Sequence, residues 1–273
     1  MNVPRTSQTA TRGSAKMASI AVKHVAEVFQ CQAAVLLPDA TGKLHYPDGP
    51  PEAGSYRGSD LAVAQWVVAT ILADLIGFQR AEAARLERNW DRWQPREVAG
   101  KRVVIVGYGS IGRAVERRLA PFGVRIGRVA RRAREGVEPV ERLAGAVADA
   151  DVVVVLAPLS DETRGLVGAE VIGRMPDGAL LVNAGRGAVV DTDALVDAVQ
   201  TGRIRAALDV TEPEPLPADH VLWTLDGVFI TPHNAGDTPE AEVAAEALAR
   251  AQILRHRAGL PLEHVVRRGA PAP

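Results

Sequence analysis

One short stretch, Val103 to Leu119, constrains this chain more than any other. Val103 to Val106 reads as a buried strand, and it runs directly into Gly107-Tyr-Gly109-Ser-Ile-Gly112. From Ile111 to Leu119 the apolar spacing then becomes helical. In a strand–turn–helix unit the three glycines have distinct uses: Gly107 permits a tight turn, Gly109 lets a pyrophosphate approach the backbone, and Gly112 lets the helix sit close to the sheet. The N–H groups and dipole of such a helix N-terminus attract phosphate. Glycine triplets also occur in plain αβ turns, but here the flanking strand and helix are both present.

A dinucleotide site of this kind continues into a second strand that usually ends in an acid for the ribose hydroxyls of NAD. Here that strand, Gly123 to Ala130, ends without one and is followed by Arg131, Arg132 and Arg134. Guanidinium groups make charge-assisted, often bidentate hydrogen bonds to phosphate. The expectation is therefore NADP, with Arg131 and Arg132 clamping the 2′-phosphate, and NAD is the alternative. A solvated basic loop beside Glu135 and Glu138 is the plainer reading of the same residues.

Beyond that point β and α patterns alternate. Strands are expected at 103–106, 124–129, 152–157, 179–183, 205–209 and 227–230, and helices near 111–121, 138–147, 168–174, 192–201 and 238–258. Alternation with β-branched, continuously apolar strands predicts an α/β fold with a doubly wound parallel sheet, a Rossmann-like dinucleotide-binding domain. Ahead of it, one long helix is expected over 61–86, then a Trp-bearing connection with Trp90 and Trp93. Gln65, Thr70 and Asp74 interrupt the apolar run Leu61 to Phe78, which favours a buried core helix over a membrane span. Residues 1–58 form a short atypical N-terminal segment, with a helix over Ile20–Phe29, a strand over Ala33–Leu37, a turn at Asp39–Gly42, a short run to Tyr46 and a Pro/Gly-rich linker over Pro47–Gly58. The domains are then 1–58, 59–237 and 238–273, the last a helix and tail.

Composition narrows the class. A net charge of −1 from 32 Lys+Arg and 33 Asp+Glu points to neither nucleic acid nor an anionic membrane as partner. The single cysteine, Cys31, cannot form an internal disulfide, no Cys/His spacing suits a metal, and no apolar signal segment opens the chain. A cytoplasmic protein is expected.

Ligands in doubly wound sheets bind beyond the carboxyl ends of the strands. The strand exits carry Pro158, then Arg186 within Asn183-Ala-Gly-Arg-Gly187, then Asp209 and Glu214, and finally His233. Arginine suits a planar carboxylate, histidine suits proton transfer near neutral pH, and a carboxylate beside histidine orients it. Singly these could be a surface charge, a loop cap, a turn acid and a structural histidine, the role expected for His24, His45, His220, His256 and His264.

On these residues the chain resembles the D-isomer-specific 2-hydroxyacid dehydrogenases. The resemblance runs from about Gly58 to Val266 through five ordered motifs. These are Val104–Gly112, Leu156–Leu166, Leu181–Gly187, Ala207–Pro217 and Ile230–Gly236. It implies a catalytic set of Arg186, Glu214 and His233. It also implies cofactor contacts from Tyr108, Gly109, Ser110, Ile111, Pro158, Thr163 and Ala184, with Asp209 holding the nicotinamide carboxamide. The implied reaction is reversible reduction of a small 2-oxoacid to a D-2-hydroxyacid, in a homodimer whose two-fold interface would cover the 61–86 helix and the two tryptophans. Two departures stand out. Gln65 replaces the more usual Glu, and Lys23 to Asp48 is similar to a fragment of a GAF-type sensor module rather than to the family's substrate domain. A second expectation is therefore a dinucleotide-binding sensor or scaffold with little turnover, its cleft open to water.

Overall fold

The computed structural model describes residues 57–263 and two short strands before them, β1 (Leu37–Pro38) and β2 (Leu44–His45). The expected helix over Ile20–Phe29, Cys31, most of the GAF-like stretch and most of the Pro47–Gly58 linker lie outside the described residues. β1 and β2 pair antiparallel, Leu37 opposite His45. The chain divides into two compact units, one spanning Asp60–Thr238 and the other made of the residues on either side.

The Asp60–Thr238 unit holds seven parallel strands in the order β5-β4-β3-β6-β7-β8-β9. They are β3 (Arg102–Val106), β4 (Arg125–Ala130), β5 (Glu138–Pro139), β6 (Val152–Val155), β7 (Ala179–Asn183), β8 (Ile204–Leu208) and β9 (Val228–Ile230). The order reverses between β3 and β6, which opens a crevice at their carboxyl ends. Side chains alternate across the sheet, so each strand feeds two cores. Val103, Ile105, Val152, Val154, Leu180 and Val182 pack against α1 (Arg57–Ile76) and α3 (Ser110–Leu119). Val104, Val106, Val153, Val155 and Leu181 face α4 (Leu143–Ala146), α5 (Ala169–Arg174) and α6 (Thr192–Gln200) on the other side. β6 is four consecutive buried valines, the pattern of a strand covered on both faces.

The α1 segment meets the length and composition of a membrane span over Ser59–Ile76. Its Val63, Ala64, Val67, Ile71 and Leu75 lie on one helical stripe and are buried in the core, so it is a core helix of this unit.

Three expectations are corrected. The single helix over 61–86 is two: Gly77 adopts φ 85°, a left-handed conformation that ends α1, and α2 (Phe78–Leu86) begins after it. The indole of Trp93 fills the space where a Gly77 side chain would stand, its Nε1 donating to the Ile76 carbonyl at 2.9 Å. The helix over 138–147 shrinks to the edge strand β5, a 3-10 turn at Val140–Arg142 and the four-residue α4. The strand over 152–157 ends at Val155, because Leu156 and Ala157 already belong to the turn toward Pro158. The helix of the second unit, α7 (Pro239–Arg257), closes its end through Arg255, whose Nη1 lies 2.9 Å from a Glu263 carboxylate oxygen.

Candidate active site

Gly107 takes φ 95° as the chain leaves β3, and a Cβ there would stand 2.4 Å from the Ala157 nitrogen. Only glycine can make that turn. Gly112 is less constrained, since a Cβ would lie 3.2 Å from the Gly107 carbonyl and from Ile105, a tight contact that its neighbours would have to relieve. Gly109 differs: a Cβ there would meet nothing within 4 Å. The protein's own atoms do not demand a glycine at 109, and the space above it is open to a ligand. Gly109 precedes α3 with no side-chain cap, so the first-turn N–H groups remain available. An open cradle under uncapped N–H donors fits the pyrophosphate of a dinucleotide. Ser110 begins α3, and Ile111 is half-buried against the core.

At the end of the crevice beyond β4 the side chains form a charged network. The Tyr108 hydroxyl donates to the Glu116 carboxylate at 2.5 Å. Arg128 donates to the same carboxylate through Nε at 2.8 Å and through Nη2. Its guanidinium also lies 5.6 Å from the Tyr108 ring, and that of Arg134 lies 5.8 Å from it. Arg134 donates to the Tyr108 carbonyl. The Arg128 hydrogen bond holds the Glu116 carboxyl below the usual range against the opposing effect of burial, and Arg128 is raised in return. Burial, then the Glu116 hydrogen bond, pushes the Tyr108 phenol up.

Arg131 and Arg132 are exposed in the turn after β4. Arg131 lies 3.8 Å from Glu162, both side chains about 70 % exposed, an ion pair of little strength. Both guanidinium groups can therefore swing to a ligand at low cost. Arg134 was outside the expected clamp, yet it is the arginine of this turn that binds back onto the glycine loop. Sequence spacing could not show this, because the contact depends on the isolated bridge between Arg134 and Val137.

Past β6, the Thr163 hydroxyl donates to the Pro158 carbonyl at 2.6 Å and accepts from the Ser160 N–H at 2.7 Å. These bonds lock the Pro158–Thr163 turn. Beyond β7, the buried Asn183 accepts from the Gly185 N–H and donates to the Arg186 carbonyl, both at 3.1 Å. Ala184 is tied by its N–H to the Val155 carbonyl at 3.1 Å. Arg186 donates to the Gly185 carbonyl at 2.7 Å. A Cβ on Gly187 would stand 1.8 Å from the Thr211 carbonyl, so the Arg186 loop and the loop after β8 lie backbone to backbone.

Asp209 follows β8 and is 3 % exposed. Its Oδ1 accepts from the Thr231 hydroxyl at 2.5 Å and from the Asn234 and Ala235 N–H groups at 3.0 and 3.1 Å. Its carbonyl accepts the His233 N–H at 2.8 Å. The carboxylate is thus engaged with the loop that carries His233, an anchoring task that the sequence did not reveal. His233 adopts φ 55°, a conformation that costs a non-glycine residue energy and persists where the surroundings enforce it, often at functional sites. In that pose its Nδ1 meets Glu214 Oε1 at 2.5 Å. By contrast, His220 accepts from the Leu222 N–H at 3.2 Å and caps a 3-10 turn, a structural role.

The sheet thus brings the Arg186, Glu214 and His233 loops to neighbouring strand ends at β7, β8 and β9, and keeps Arg131, Arg132 and Arg134 beyond β4 on the far side of the glycine loop. The chain is similar to proteins of one kind. It is 36% identical over 217 residues to the D-3-phosphoglycerate dehydrogenase of Methanocaldococcus jannaschii, covering 76% of this chain and 41% of that protein. Among solved structures it resembles a probable 2-hydroxyacid dehydrogenase from Rhizobium etli in complex with NADP, at TM-score 0.70 and 32% identity over 78% of this chain and 69% of that one. It also resembles an NADPH-dependent glyoxylate/hydroxypyruvate reductase from Sinorhizobium meliloti, at TM-score 0.70 and 31% identity over 77% and 69%. Residues 68–235 match the family model described as D-isomer specific 2-hydroxyacid dehydrogenase, NAD binding domain. Fold, glycine loop and sequence agree, and the chain belongs to the D-isomer specific 2-hydroxyacid dehydrogenase family.

Proposed function

We propose that the chain reduces a small 2-oxoacid to a D-2-hydroxyacid with NADP(H), NAD(H) being the alternative cofactor. The observation that carries this reading is the contact between His233 and Glu214 on loops beside that of Arg186, along the same strand ends as an open glycine cradle. When bound, the nicotinamide supplies the hydride for C2. Arg186 holds the substrate carboxylate by a bidentate pair and draws charge toward the keto oxygen. His233 delivers a proton from Nε2 to the oxygen as charge develops there. Glu214, on Nδ1, fixes the ring's orientation and stabilises its charged form. Arg131 and Arg132 take the 2′-phosphate, with Arg134 close by on the same turn. The similarity to an NADPH-dependent reductase supports the choice of cofactor and of short oxoacids.

Self-association belongs to the same reading. Helix α2 buries no residue, Phe78 and Leu86 are exposed on it, and Trp90 beyond it is 92% exposed. Exposed apolar side chains of this kind on a projecting segment suit an isologous homodimer in the cytoplasm.

A panel of glyoxylate, hydroxypyruvate and phenylpyruvate with NADPH and NADH, followed at the nicotinamide absorbance, tests the proposal. Oxidation of NADPH by at least one oxoacid is expected. Cofactor binding without oxidation by any of them would replace it with the sensor or scaffold reading.

A further inference from the structure

Asp60 is a buried acid of the glycine-loop region that the proposed reaction does not use. It lies in the first turn of α1 and is 5% exposed. Its carboxylate faces the start of α3, where Ser110 Oγ lies 3.4 Å from Oδ1, a long and weak hydrogen bond. Among the described residues that is its one side-chain partner. A carboxylate buried with so little compensation is costly unless something favourable faces it. Here the favourable element is the positive end of α3, whose first N–H groups lack a cap. Asp60 therefore lies against the element that the pyrophosphate of a dinucleotide would use.

Two anions cannot share that element without penalty. The Ser110 hydroxyl has one proton to donate, so a phosphate oxygen and Asp60 compete for it. Both also draw on the same helix end, and each repels the other.

We propose that Asp60 is a built-in brake on dinucleotide binding, an internal anion whose charge weakens the hold of the glycine loop on the pyrophosphate. The inference rests on the dinucleotide reading of that loop. Its consequence is loose retention of the cofactor, which favours release after each turnover.

The test is titration of the full chain with NADPH by intrinsic tryptophan fluorescence, for the parent and for Asp60→Asn. The amide keeps the shape and removes the charge. The dissociation constant is expected to fall about tenfold, the order set by one like-charge contact at short range in a partly solvated site. Adenosine 2′-monophosphate, which has no pyrophosphate, is expected to bind parent and variant alike. Tightening is the informative sign, because damage to the loop would weaken binding. If Asp60→Asn does not fold, Asp60→Ser carries the same expectation. An unchanged or raised NADPH dissociation constant in the folded variant overturns the proposal, as does equal tightening toward adenosine 2′-monophosphate. Failure of the parent to bind NADPH or NADH would instead overturn the dinucleotide reading beneath it.

Discussion

The main chain of His233 donates to the Asp209 carbonyl at 2.8 Å, while the Asp209 carboxylate holds the two residues that follow, Asn234 and Ala235. One buried aspartate just past β8 thus fixes the strained loop after β9 that presents the imidazole. Replacing it leaves buried N–H groups without an acceptor. Asp209→Ala is expected to cost about 2–3 kcal/mol in a denaturant melt. It should also reduce turnover, since His233 would lose its enforced left-handed pose. A melt matching the parent would show that the loop holds itself.

In the proposed reaction His233 transfers a proton and takes no part in binding the dinucleotide. His233→Ala should lower kcat about a thousandfold, within the usual range for a general acid, and leave the NADPH dissociation constant unaltered. Glu214→Gln should give a smaller loss in kcat with the same unaltered affinity. Turnover that survives His233→Ala would remove the residue from the reaction.

Among the described residues Arg131 is held by a long, exposed contact with Glu162 at 3.8 Å, so little is lost from the fold when it changes. Arg131→Asp is expected to shift the NADPH-to-NADH preference by about tenfold or more toward NADH, as a charge-assisted contact to the 2′-phosphate becomes a repulsion. Steady-state kinetics with each cofactor gives the ratio, and a ratio equal to the parent's would assign the clamp elsewhere on the turn.

Glu116 ties Tyr108 to Arg128, and its carboxyl in the folded protein lies below the ordinary value of 4.5 because of the Arg128 hydrogen bond. A depressed acid contributes stability that is complete above the unfolded value and is lost as pH falls through the folded one. At neutral pH Glu116→Gln should therefore cost about 1–2 kcal/mol. The gap between parent and variant should close as the buffer is acidified below 4.5. Melting curves across that range check both parts, and a gap independent of pH would mean that the network's charge is not what stabilises it.

Local chemistry in the chain was enough to indicate the doubly wound sheet. Continuous β-branched apolar runs, glycines beside them and acids or arginines at strand exits all act over a few residues, so Gly107, Arg186, Glu214 and His233 were legible as site candidates. The α1–α2 break was not legible, because helical apolar spacing continues across Gly77 and only the packing of Trp93 against it decides the turn. Nor was the short α4, where β5 claims the backbone of Glu138 and Pro139 for the sheet edge.

What the sequence by itself determined was the set of candidates for the chemistry: a glycine loop, a guanidinium, an imidazole and a carboxylate, each identified by residue type and position after a strand. The tertiary structure alone decided the partnerships. Asp209 with the His233 loop, Arg134 with Tyr108 and Asp60 with Ser110 join residues separated by 22 to 50 positions. A hydrogen bond or a charge contact acts over a few ångströms, and which distant residues come within that range is set by the order in which the strands lie side by side.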